Sequence, residues 1–151
     1  MNTQTVRKFI KEHNIDAEII EHEASGLTSK NASDVHGIGL DKIVKTLLFV
    51  GKNNENVVVI CLGKDRVDIK KIGLKKSHLA TKEELSEILK SEPGGVPPIA
   101  LPENIKKFLD KNVIGKDFVI GSAGSEFTGL KISPKDILKY SNAQVVNIVV
   151  D

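Results

Sequence analysis

Two apolar runs set five polar residues apart limit this chain more than any other feature. KIVKTLLFVG (42–51) and VVVICLG (57–63) flank KNNEN (52–56). Each run has the length and β-branched content of a strand, and neither alternates with polar residues, so both read as strands buried on two faces. The short polar connection turns the chain straight back, which makes the pair an antiparallel hairpin at the centre of a sheet.

Around the hairpin, helical and extended patterns interleave without a regular βαβ period. Val6, Phe9, Ile10 and His13 give an amphipathic helix ending near Asn14, and AEIIEHE (17–23) follows as a strand. Ala32, Val35 and His36 mark a second short helix, opened by Thr28 or Ser29 and closed by Gly37. In TKEELSEILK (81–90), Thr81 and Glu84 form a capping box ahead of Leu85, Ile88 and Leu89. Pro102 is expected to begin a short helix through ENIKKFLD (103–110). DFVIGSAG (117–124) and TGLKIS (128–133) read as a strand pair, Ser133 and Pro134 open a helix, and QVVNIVV (144–150) closes as a strand. The fold expected is α+β: a mixed, largely antiparallel curved sheet with flanking helices, in a single domain over residues 1–151.

Composition narrows the function classes. With no Trp, one Tyr and five Phe, the chain has few aromatic platforms for stacking nucleobases. The net charge of +2 is mild, but KDRVDIKKIGLKK (64–76) sets six basic residues against Asp65 and Asp68. That run is either a basic face for phosphates or a solvated helix face. Cys61 lies inside an apolar run and has no second cysteine to pair with, which suits a reducing compartment. The N-terminus lacks the apolar core of a signal peptide and no apolar segment reaches 18 residues, so a cytoplasmic protein without a membrane partner is expected.

Lys45 is the odd residue of its strand, since alternation sets it with Ile43, Leu47 and Phe49. A lysine there either reaches past the sheet to water or faces a functional cavity, because a bare buried ammonium is expensive. The histidines His13, His22, His36 and His78 lack metal-motif spacing, so no metal and no cofactor is expected. No nucleophile motif is present. SEPGGVPPIAL (91–101) stiffens the backbone at Pro97 and Pro98 and frees it at Gly94 and Gly95. Either this is a tight turn into a strand, or it holds the N–H groups of Gly95 and Val96 toward an incoming oxygen. GSAGSEFTG (121–129), with Gly121, Ser122, Ala123 and Gly124, is a second loop able to offer main-chain donors, and a hairpin turn explains it equally well.

IVKTLLF (43–49), GGVPPIAL (94–101) and GSAG…GLKISPKDIL (121–138), in that order and spacing, resemble the YbaK and prolyl-tRNA synthetase-associated domain family of aminoacyl-tRNA editing deacylases. The likeness extends to EHEASGLTS and DRVDIKKI. It implies that Lys45 lies in the substrate pocket, that Gly94, Gly95, Pro97 and Pro98 border the aminoacyl ester with Val96, and that residues 121–124 help hold the terminal adenosine of tRNA. Relatives often carry Arg or Lys where this chain has Ser125. The activity implied is hydrolysis of a mischarged tRNA ester by water, with loop amides around Gly94–Val96 stabilising the oxyanion. Alanine on proline tRNA is the first choice of substrate and cysteine or serine the second. Prolyl-tRNA synthetase is the partner implied besides tRNA. The alternative from another class is a non-catalytic tRNA-binding or synthetase-associated module.

Overall fold

The computed structural model describes residues 2–151. In chain order it comprises α1 (Thr3–His13), β1 (Glu18–Glu21), α2 (Ser29–His36), β2 (Val44–Val50), β3 (Asn56–Leu62), α3 (Ile69–Ile72) and β4 (His78–Leu79). There follow α4 (Lys82–Leu89), β5 (Lys106–Asp110), β6 (Val119–Ser122), β7 (Thr128–Ile132), α5 (Pro134–Ser141) and β8 (Gln144–Val146). The expected hairpin forms, with Val44 opposite Leu62 and Val50 opposite Asn56. Its turn is tight because Asn53 and Asn54 both take the left-handed conformation that asparagine tolerates.

The strands divide between two sheets. One has the order β4-β2-β3-β5-β8, with β3 at its centre, and the other the order β1-β7-β6. A single parallel bridge between Ile43 and Ile120 joins them where β2 begins. Besides that bridge, parallel pairing joins β3 with β5 and β5 with β8, and the other strand pairs are antiparallel, so the architecture is the mixed α+β expected.

The hairpin is buried on both faces because each face has its own cover. Val44, Leu48, Val58 and Ile60 join Val119, Leu130 and Ile132 of the smaller sheet and Val6, Leu89 and Ile137 of the helices in the main core. Phe49, Val57, Val59 and Cys61 face the other way, under Ile72, Val67, Ile148 and Val149. Fully burying each such aliphatic side chain contributes about 1.5–3 kcal/mol. Among the described residues no helix is long and apolar enough to cross a membrane.

ENIKKFLD is corrected by the structure. Residues 106–110 are a strand, paired parallel to β3 from Val57 opposite Lys106 to Ile60 opposite Leu109. Ile105, Phe108 and Leu109 stand at helical spacing, but Phe108 enters the smaller cluster and Leu109 the main core, which demands the two-residue period of a strand. The caps follow the sequence reading: Thr28, Thr81 and Ser133 each accept a first-turn N–H, and Thr81 and Glu84 complete a capping box.

Candidate active site

The three segments that carry the resemblance meet at one cleft of about 120 Å³. Lys45, Thr46 and Leu47 of β2 form one wall and Gly94 and Val96 another. Ser122 closes one side, and the Gly26–Ser29 segment with Ala32 of α2 the opposite side. Sequence reasoning thus named Lys45, Gly94, Val96 and Ser122 among the residues that line the cleft. Gly121 lines a smaller cavity alongside and lies against Val44 and Pro98. Gly95, Pro97, Pro98, Ala123 and Gly124 stand behind these walls rather than in them.

Lys45 shares a face with Leu47 and Phe49, as alternation requires, and lies opposite Cys61. Its half-buried ammonium donates to the Asp65 carbonyl at 2.5 Å and reaches the Gly63 carbonyl at 3.5 Å. These partners are neutral carbonyls, and no carboxylate pairs with Lys45 among the described residues. The Asp65 carboxylate is engaged elsewhere, with Lys64 and Asn112. Burial pushes the Cys61 thiol up to about 12, which makes this cysteine a core residue and no nucleophile.

The loop at 91–98 is first of all a turn. Pro93 fixes its first central position and Gly94, at φ +76°, its second, while Gly95 N–H donates to the Glu92 carbonyl at 2.9 Å. This is a type II turn, in which the second central residue must adopt a positive φ. Gly95 has a different reason to lack a side chain: a Cβ there would stand 3.0 Å from the Gly124 carbonyl oxygen, so the two backbone-rich loops touch main chain to main chain. The turn spends the Gly95 N–H, which leaves Val96 as the one of the two expected donors still available. Val96 N–H has no hydrogen bond among the described residues, and Val96 lines the cleft.

Sequence reasoning missed the wall made by α2. Thr28 was legible as a cap, and its hydroxyl accepts Asn31 N–H at 3.0 Å, but nothing local shows that the first turn faces Lys45. Ser29 abuts Gly63, whose carbonyl binds Lys45, so a Cβ on Gly63 would stand 2.8 Å from that of Ser29. The start of a helix carries unpaired N–H groups and a positive dipole end, which favour an oxygen bearing negative charge. Leu27, 49% exposed, covers Gly94.

Beside the cleft, His22 and His36 stand edge to face at 5.0 Å and border a cavity of about 30 Å³ with Ser122 and Glu126. His22 Nδ1 donates to the Ala24 carbonyl at 2.6 Å. Burial, and then His22, hold His36 below the ordinary histidine value. Ser125 closes its own loop: its hydroxyl accepts Phe127 N–H and contacts the Thr128 hydroxyl, each at 3.1 Å. Among the described residues no group of three His, Cys, Asp or Glu side chains is placed to hold a metal ion. Within the basic run at 64–76, Lys71 donates to the Val149 carbonyl at 2.8 Å, and α3 covers only Ile69–Ile72.

An ammonium held by main-chain carbonyls, an unpartnered amide and a helix start surround a cleft in which no hydroxyl among the described residues is paired with a base, an arrangement able to position and polarise a carbonyl. The aminoacyl-tRNA editing domain family matches residues 23–140, and the chain belongs to that family. It is 27% identical over 149 residues to the uncharacterized protein YwhH of Bacillus subtilis, covering 96% of this chain and 94% of that one. It is 25% identical over 147 residues to a protein of Enterococcus faecalis named "Putative Cys-tRNA(Pro)/Cys-tRNA(Cys) deacylase EbsC", covering 93% and 90%. With the proline–tRNA ligase of Aquifex aeolicus it shares 30% identity over 112 residues, 71% of this chain but 19% of the ligase. A crystal structure described as "a putative trans-editing enzyme for prolyl tRNA synthetase" superposes with a TM-score of 0.87 at 27% identity, covering 99% of this chain and 97% of that one.

Proposed function

We propose that this chain is a trans-editing deacylase, with residues 1–151 as its editing domain, that hydrolyses the ester of a mischarged tRNA in the cytoplasm. The observation that carries the reading is the cleft itself, where Lys45, the Val96 amide and the start of α2 converge. The family and the names borne by its relatives support the reaction class. Lys45 holds and polarises the aminoacyl group. Water adds to the ester carbonyl, the charge that develops on its oxygen falls to the Val96 N–H and the α2 first turn, and the ribose oxygen leaves with the electron pair of the broken C–O bond. Bound water or the neighbouring ribose hydroxyl carries the proton, because the chain offers no nucleophile with a paired base.

The amino acid is a small one. Alanine on proline tRNA is the first candidate and cysteine or serine the second, with cysteine supported by the name of the E. faecalis relative. One methylene is worth only about 1–3 kcal/mol of discrimination, which is why small misacylated residues need a separate hydrolytic step. Prolyl-tRNA synthetase is the partner this implies. The test is to incubate the protein with proline and cysteine tRNAs carrying labelled alanine, cysteine, serine or proline and follow ester loss at two salt concentrations. Ester loss confined to mischarged proline tRNA and weakened by salt is expected. Binding without hydrolysis would instead make the chain a tRNA-binding module, the reading that the Ser125 departure favours.

A further inference from the structure

Lys45 is held by the main chain of a residue that carries a carboxylate of its own. The ammonium rests on the Asp65 carbonyl at 2.5 Å, while the Asp65 carboxylate pairs with other groups. An aspartate side chain turns about two torsions and sweeps the space beside its own carbonyl, so a change of rotamer would bring that carboxylate onto Lys45. A carboxylate holds an ammonium more strongly than a neutral carbonyl does. Only 15% of the Asp65 side chain is exposed, so water screens its charge poorly.

The contacts that oppose this rotamer can be ranked. Besides burial, three charges act on the Cys61 thiol, those of Lys45, Asp110 and Asp65, and Cys61 lies opposite Lys45 in the hairpin. Two carboxylates therefore share the surroundings of the lysine. Asp110 is fully buried and already committed, since one oxygen accepts Ile148 N–H at 2.9 Å and the other Asn112 N–H at 3.0 Å. Asp65 has two side-chain partners. Lys64 stands 3.5 Å from Oδ1 with half of its own side chain exposed, a contact that contributes little. Asn112 Nδ2 donates to Oδ2 at 3.1 Å, and the turn Lys111–Val113 that carries it is pinned by the Asn112 N–H on Asp110. Asn112 thus leans on the buried carboxylate and holds the other.

We propose that Asn112 is a positioning residue that keeps the Asp65 carboxylate off Lys45 and so leaves the ammonium to the aminoacyl carbonyl, an assignment that rests on the deacylase reading. A side-chain amide suits this task because it donates to a carboxylate without adding a charge beside it. When the amide is removed, Asp65 turns inward, pairs with Lys45, and competes with the substrate for the same donor.

The test compares Asn112→Ala, Asp65→Asn and the double variant on charged tRNA. Asn112 is exposed and alanine keeps the N–H that Asp110 accepts, so the fold is retained, and melting curves of the same samples check this. Asn112→Ala loses about tenfold in kcat/KM, and the double variant returns to the value of Asp65→Asn alone, because the neutral side chain no longer forms an ion pair with Lys45. Asn112→Asp, of the same size as the native residue, repels Asp65 and gives a larger loss, which serves if the alanine variant melts early. Wild-type kcat/KM in Asn112→Ala overturns the proposal. A double variant no faster than Asn112→Ala also overturns it, since that is the behaviour of a merely structural tie. A crystal structure of Asn112→Ala reads the rotation without reference to activity: the Asp65 carboxylate is expected within about 4 Å of Lys45 Nζ, and an unmoved Asp65 refutes the assignment. If that pair forms while the wild-type chain hydrolyses no charged tRNA, the hold of Asn112 on Asp65 stands and the deacylase reading falls.

Discussion

Replacing Gly95 with alanine asks whether the two backbone-rich loops act as one unit. The new methyl would stand 3.0 Å from the Gly124 carbonyl oxygen and 3.2 Å from both the Gly124 carbonyl carbon and the Glu92 carbonyl oxygen. Ordinary contact begins near 3.4 Å, so the loops must part by a few tenths of an ångström. All three neighbours are main-chain atoms. Gly124 is itself backed by the Asn2 and Thr3 backbone, and the Glu92 carbonyl is tied into the turn by the Gly95 N–H. Overpacking of this kind costs about 1–3 kcal/mol, and each kcal/mol lowers the melting temperature by about 2–4 °C at this chain length. The displacement shifts Val96, the next residue, within the cleft it lines with Lys45. A 1 Å misplacement in an active site can cost about 10²-fold, so a loss of about tenfold in single-turnover rate is expected. Alanine keeps the N–H, so no part of that loss comes from a missing donor. The assay is single-turnover ester hydrolysis on alanyl-tRNA beside melting curves of the same samples. Unchanged melting and an unchanged rate would refute the contact between the loops as a functional one. A melting loss with a normal rate for the folded fraction would reduce Gly95 to a structural corner.

Lys45→Met keeps the stem and removes the ammonium. It should cost about 1 kcal/mol through the carbonyls of Asp65 and Gly63 but at least about 10²-fold in rate, and a near-normal rate would make Lys45 structural only. Burial and His22 hold the His36 pKa below its ordinary 6.5, so the unfolded chain takes up the proton more readily. Stability from this group is complete above about pH 6.5 and is lost as pH falls below it; melting from about pH 8 to pH 5 should show a smaller acid loss in His36→Gln, and an identical loss would refute the assignment. Cys61, fully buried with its thiol at about 12, should react with a thiol reagent only as fast as the chain unfolds, and rapid labelling of the native protein would contradict that.

The central hairpin was legible because its two apolar runs admit one short-range solution, and the caps were legible because their chemistry is local. Residues 106–110 were not. A parallel strand paired to β3 and β8 across long sequence separations leaves no local mark, and three apolar residues at helical spacing masked it. Lys45 stood out because its charge is anomalous in its strand. Ser29 and Ala32 did not, since only the tertiary contact of α2 brings them to the cleft. The commitment of the Gly95 N–H to Glu92 was hidden for a related reason: glycine and proline composition specifies a turn without saying which amide the turn consumes.

The order in which the cleft walls appear on the chain has a consequence for synthesis. The β2–β3 hairpin, carrying Lys45, closes over a five-residue connection and can form as soon as residue 62 is free of the ribosome. Ser122 is held by β6, which pairs with β7, and β7 in turn pairs with β1, Glu18 opposite Lys131. A contact of such separation forms late, since the entropy of closing a long loop must be overcome first. A nascent or truncated chain that stops before Ile132 therefore holds the lysine but not the enclosed groove. The groove is enclosed only once β7 has emerged and paired with β1.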